Sequence, residues 1–250
     1  MTLYAMIASL CFLKMYIDYE KTGVRPGWWV ATTLTVLLTT TCKPSFTINL
    51  MMSVVVMFVI DLIRGGADGF LKRLMRLFVM GLTLIPSGLY IIWLHTGEFT
   101  EASKSGEEHR VIFDISHVIN YEHLWAAILF GMLFPIVVCL LNGRKFRDPK
   151  YRYALYIFVM GVVQWAFITE TGKRGNYGNF GWGRVYGTYF ITLIASVIAM
   201  ENYDDSESIV CDNKRARALY FVVLGAVLTL SILSQLKYFR LILTGHGYMH

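Results

Sequence analysis

The chain has 250 residues, of which 56% are hydrophobic, 15% aromatic and only 16% charged. Soluble domains carry about 25% charged residues, and several apolar runs here reach the ~18–20 residues of a bilayer-spanning helix, so a soluble globular domain is excluded. The net charge of +6 comes from cations in short loops between apolar runs, where they set topology and do not point to nucleic acid.

Long continuous apolar runs, in place of short alternating ones, make the spans helices and not barrel strands. The expected fold class is therefore all-α: a polytopic helical membrane protein, one transmembrane domain over residues 1–250. Cys11, Cys42, Cys139 and Cys211 lie in or beside apolar runs with no CxxC pair, which reads as reduced, small apolar residues. The chain begins inside a hydrophobic helix, without a basic n-region or a small-residue cleavage site. That start fits a minimal first helix or a piece of a longer protein.

In chain order the length criterion gives about eight spans: 3–17, 28–42, 44–63, 77–94, 124–141, 153–169, 185–200 and 219–236, the last continuing helical towards 243. The second is short. Pro86 falls near the centre of the fourth and should kink it. Basic loops at 64–76, 143–152 and 201–217 are separated by pairs of spans, so they share one side, which the positive-inside rule makes cytoplasmic. The Lys43 turn, the polar segment 95–123 and the stretch 170–184 then share the outer face.

Within 95–123 the acidic, Gly/Ser-rich residues 96–109 read as a flexible loop. Val111, Ile112, Ile115, Val118 and Ile119 recur at helical spacing, which predicts a short amphipathic helix in the outer interface.

Two places hold residues suited to chemistry. The second span, at about 15 residues, rises only ~22 Å, so Lys43 is expected at or just below the outer interface. Pro44 suits the first turn of the next helix, and a cation beside a helix N-terminus is an anion site, with Ser45 adjacent. The other reading of this turn is a lysine snorkelling to headgroups. The stretch 170–184, ETGKRGNYGNFGWGR, places Glu170 at the hydrocarbon edge with Lys173 and Arg174 within reach, either as a structural ion pair or as working groups. Its five glycines allow positive φ and close approach, as an anion cradle or a tight turn. Asn176 and Asn179 suit sugar hydroxyls, and Trp182 offers a stacking face or an interfacial anchor.

His95, His109, His117 and His123 lack ligand spacing, and there is no GxSxG, HExxH, Walker or dinucleotide fingerprint. Neither metal nor cofactor is expected. Asp61 and Gln164 read as helix-end or interhelical hydrogen-bonding groups.

The Lys43-Pro44-Ser45-Phe46 turn, followed much later by Glu170-x-Gly172-x-Arg174 and Gly178-Asn179-Phe180-x-Trp182-Gly183, resembles a group of bacterial multi-spanning proteins similar to the GT-C class of membrane glycosyltransferases. The two motifs and the spans between them cover about three-quarters of the chain. The resemblance implies an outer-face site for polyprenyl-phosphate-linked sugar, a glycan acceptor and a role in cell-surface polysaccharide synthesis. It marks Lys43, Glu170, Arg174, Asn179 and Trp182, with Glu170 as the catalytic candidate. Tyr177 departs from the more polar residue, often His, expected there. The first outer loop, where the class keeps its catalytic acid, would lie before residue 1; Glu107, Glu108 and Asp114 offer carboxylates in its place. The expectation is thus a transferase or its C-terminal part, with a non-catalytic glycan-lipid-binding or flippase-like subunit as the alternative. Few ionisable groups lie within the spans, which disfavours an ion or solute transporter.

Overall fold

The computed structural model describes residues 2–23, 25–65, 69–105, 111–115, 124–141, 148–170, 180–203 and 214–243. Among these, nine helices hold 90% of the residues, so the one short sheet is the departure that needs a reason. The order is α1 (Thr2–Thr22), α2 (Pro26–Cys42), α3 (Pro44–Arg64), α4 (Phe70–Leu82), α5 (Ile85–Ser105), β1 (Val111–Phe113), α6 (Leu124–Leu141), α7 (Pro149–Phe167), β2 (Ile168–Glu170), α8 (Gly181–Tyr203) and α9 (Lys214–Leu243). Among the described residues α3 and most of α8 are long and apolar enough to cross a bilayer. The α4–α5 pair, bent by 46°, adds a third crossing if it is one span. That is two or three crossings against the expected eight.

The chain divides into two compact units. The first is Met1–Asp114 with Leu155–Gly187, which takes in α1–α5, the sheet, most of α7 and the start of α8. Its core includes Phe12, Val36, Phe46, Leu50, Met80, Ile157 and Tyr186, all within 3% exposure. The α2–α3 connection is a single residue. Pro44 disfavours the helical region for the residue before it, and Lys43 is accordingly extended at φ −159°, ψ 96°. α2 is rich in threonine, and Thr32, Thr33, Thr35, Thr39 and Thr40 each donate to the carbonyl four residues back, so their hydroxyls need no water. The second unit is Ile115–Ala154 with Thr188–His250. There Val138, Tyr153, Phe190, Ile191 and Ile198 are buried, and the Tyr153 and Phe190 rings meet edge to face at 5.9 Å.

Several sequence-based expectations change. Residues 111–113 are not the start of an interfacial helix but a strand, antiparallel to β2 with Val111 opposite Glu170 and Phe113 opposite Ile168. Val111, Phe113 and Ile115 alternate as a strand requires, Val111, Ile112 and Ile115 fit a helical stripe, and the available partner strand decides between the two. The expected loop at 96–109 is helical through Ser105 as the continuation of α5. Glu170 does not close a helix: α7 ends at Phe167 and Glu170 ends β2. The kink expected at Pro86 is a break just ahead of it. A proline ring clashes with the carbonyl four residues back, so α4 stops at Leu82 and α5 restarts with Pro86 in its first turn. The basic loop at 64–76 shrinks as well, because α4 begins at Phe70 and Arg76 is 5% exposed.

Candidate functional site

Three segments of the first unit converge at the Lys43 end of α3. Lys43, the whole of the α2–α3 connection, places its Nζ 6.0 Å from the centroid of the Trp182 ring. A cation held over an indole is stabilised by roughly 0.5–2 kcal/mol, depending on how dry the place is. Lys43 stands where the carbonyl end of α2 meets the N–H end of α3, so the two helix dipoles oppose at the ammonium. Part of α3's donor set is already used, since the Phe46 N–H donates to the Lys43 carbonyl at 3.2 Å. Ligand capacity therefore rests on the ammonium, the indole and nearby hydroxyl and amide groups.

Ser45, the second residue of α3, is buried with its Oγ lacking a hydrogen-bond partner. Its carbonyl accepts from Gln164 Nε2 on α7 at 3.1 Å. Gln164 is fully buried and its Oε1 is likewise without a partner. A buried acceptor left in that state costs about 1–3 kcal/mol, which packing alone gives no reason to accept. Asn49, one turn beyond Ser45 and also fully buried, donates from Nδ2 to the Gly183 carbonyl at 3.2 Å. Ser53 Oγ in turn donates to the Asn49 carbonyl at 2.7 Å.

The first turns of α8 enter this polar seam because they carry glycine. A Cβ on Gly183 would fall on Gln164 Oε1, one on Gly161 of α7 would strike the Gly183 carbonyl, and one on Gly187 would come within 2.7 Å of the Phe158 Cα. Gly183-x-x-x-Gly187 is thus a small-residue helix-packing stripe. This corrects the reading of Gly181 and Gly183 as turn formers: α8 begins at Gly181, ahead of the expected start at residue 185. The residues on either side of Gly183 are splayed about 200° apart around the helix. Trp182 meets Lys43, and Arg184 lies with its Cζ 4.5 Å from the centroid of the Trp165 ring.

The β1–β2 ribbon belongs to the same unit. The Asp114 N–H donates to the Phe167 carbonyl at 3.2 Å, and the Phe113 and Phe167 rings stack at 5.1 Å. The ribbon sets Asp114 three residues beyond Val111, the partner of Glu170, or about 10 Å along the strand.

Of the expected site residues, Lys43, Ser45 and Trp182 come together, and Glu170 is fixed in β2. Lys173, Arg174, Asn176 and Asn179 lie outside the described residues, as do Glu107, Glu108, His109, His117 and His123. Asn49, Trp165 and Arg184 were not on the expected list. The signal for Asn49 was an amide one turn from Ser45 in an otherwise apolar run.

At the opposite end of α3, Asp61 Oδ2 accepts from the Tyr16 hydroxyl at 2.5 Å and from Arg76 Nη2 at 2.9 Å. The Arg76 guanidinium also covers the Tyr16 ring at 4.5 Å. Asp61 and Gln164 are thus interhelical hydrogen-bonding groups, as their positions in apolar runs suggested.

Comparison with family models, with curated proteins and with solved structures finds no match for this chain.

Proposed function

We propose that the chain is a membrane-embedded GT-C-like glycosyltransferase, or the C-terminal part of one, handling polyprenyl-phosphate-linked sugar at the outer face of the bacterial plasma membrane. In this reading about eight spans cross the membrane, the loops at 64–76, 143–152 and 201–217 are cytoplasmic, and the product enters cell-surface polysaccharide. The observation that carries it is the Lys43 ammonium against the Trp182 indole at a helix junction. A cation suits a phosphate leaving group, and an indole beside it suits a sugar face. Lys43 and Arg174 hold the phosphate, Asn179 and Trp182 the sugar, and Glu170 takes the acceptor proton or orients Arg174.

A second reading is a non-catalytic glycan-lipid-binding or flippase-like subunit. It is favoured by the character of the residues brought together: Lys43, Ser45 and Trp182 are all binding groups.

Full-length protein carrying Lys43→Ala or Arg174→Ala tests both readings. Loss of polysaccharide synthesis in cells and of sugar transfer by purified protein supports the transferase. Binding of polyprenyl-phosphate sugar without turnover supports the subunit. Unchanged synthesis and unchanged binding in both variants would sink the two together.

A further inference from the structure

Lys43 and Trp182 are brought together across 139 residues of sequence, and neither residue's own helix explains the meeting. The explanation lies at Gly183. Its carbonyl is held by Asn49 Nδ2 from α3. Its Cα faces Gln164 Oε1 from α7, since a Cβ built there would fall on that oxygen. Gln164 ties α7 to α3 through the Ser45 carbonyl. The two amides therefore hold one residue of α8 from two sides, and that residue lies between the two that carry aromatic and cationic groups. Gly181 completes the fit, because a Cβ there would stand 3.2 Å from the Trp165 ring that underlies Arg184.

We propose that Asn49 and Gln164 are positioning residues: by gripping Gly183 between α3 and α7 they set the rotation and depth of the first turn of α8, and so place the Trp182 indole against the Lys43 ammonium. A helix turns 100° and rises ~1.5 Å per residue, so a slip by one residue would carry Trp182 out of the Lys43 sector altogether. Apolar side chains of equal size would fill the seam without fixing that rotation. A carbonyl receiving one donor and a glycine Cα seated on one oxygen do fix it. The inference rests on the Lys43–Trp182 pair being a binding site only for its consequence on ligand affinity; the placement of the indole stands apart from it.

The test uses the full chain in detergent or nanodiscs with 5-fluorotryptophan incorporated. The Trp182 fluorine resonance is assigned by its loss in Trp182→Phe, and farnesyl phosphate serves as the anionic probe. Gln164→Met keeps the side-chain volume and removes both the Ser45 hydrogen bond and the amide oxygen that faces Gly183, so it serves as the fold-preserving variant beside Asn49→Ala. In both, the Trp182 resonance is expected to move towards its position in Lys43→Ala while the Trp28 and Trp93 resonances stay. Probe affinity is expected to fall, by less than in Lys43→Ala. A Trp182 resonance unmoved in folded Gln164→Met overturns the positioning proposal, whatever the probe does. Wild-type and Lys43→Ala protein with equal probe affinity overturns the binding reading instead, and leaves the positioning to be judged on the resonance alone.

Discussion

Asn49 Nδ2 and the Gly183 carbonyl, 134 residues apart in sequence, meet at 3.2 Å in a place where neither residue is open to solvent. In a low-dielectric interior the amide has nowhere else to donate and the carbonyl has lost one of its few donors if Asn49 is shortened. Asn49→Ala should therefore lower stability by about 1–3 kcal/mol. Thermal unfolding of the purified protein reads the loss. An unchanged midpoint would mean that the contact carries no weight.

The glycines of the α7–α8 seam should divide sharply from glycines elsewhere. Gly161→Ala and Gly183→Ala place a methyl where backbone or the Gln164 amide already stands, and over-packing of this kind costs about 1–3 kcal/mol. Gly225 in α9 has open space around the same position. Gly225→Ala should cost nothing and gain up to about 1 kcal/mol in helix propensity. Parallel melting curves of the three variants check the ranking.

Asp61 and Arg76 make an ion pair with little water around it, at 17% and 6% side-chain exposure. Removing one partner takes the counter-charge from the other, though Asp61 keeps the Tyr16 hydroxyl and Arg76 the Tyr16 ring, so Asp61→Asn or Arg76→Met should each destabilise by up to about 3–5 kcal/mol. The double variant Asp61→Leu with Arg76→Met leaves no stranded charge and should recover most of the loss. Absence of recovery would place the single-variant cost in packing and not in charge.

The register of the β1–β2 ribbon has a chemical test. Ile112 lies opposite Thr169, and directly opposed antiparallel residues have Cα atoms about 4.5–5.5 Å apart, within disulfide reach. In a background freed of native cysteines, Ile112→Cys with Thr169→Cys should cross-link under mild oxidation, seen as a mobility shift that reductant reverses. Were residues 111–119 helical, the pair would not close.

Binding at Lys43 should depend on charge more than on shape. Lys43→Arg should retain affinity for farnesyl phosphate within a few-fold. Lys43→Ala should lose roughly ten- to hundredfold, the equivalent of about 1.4–2.7 kcal/mol for a lost charged hydrogen bond, with a melting midpoint lowered by no more than the cation–indole contact. Equal affinity for farnesyl phosphate and farnesol in the wild type would remove the case for an anion site.

The α2–Lys43–α3 hairpin was legible in the sequence because Pro44 dictates the conformation of the residue before it and both flanking runs are apolar. The polar seam was only half legible. Gln164 and Asn49 are visible as amides in apolar runs, but their shared partner is a backbone carbonyl, which every residue has. The Gly183–Gly187 spacing is hidden among neighbouring glycines that suggest a loop. Counting cations assigned Arg76 to a surface loop, whereas its partner Asp61 lies fifteen residues back on another helix. The ribbon could not be read locally at all: a three-residue strand exists only by virtue of its partner, here 57 residues away at Ile168–Glu170 by the Ile112–Thr169 pairing.

The one-residue connection between α2 and α3 also bears on how a molecule would reach the proposed site. In the proposed reading Trp28 and Trp29 stand at one membrane boundary, and the 17 residues of α2 rise about 25 Å, against a hydrocarbon thickness of about 30 Å. With no loop to lift it, the Lys43 apex would then lie beneath the headgroup plane. A small water-borne anion would have to shed its hydration to arrive there, at a cost that one ammonium does not offset. A molecule already anchored by an apolar tail needs only to diffuse sideways within the leaflet. A site so placed would select by the phase a molecule dissolves in before it selects by any contact it makes.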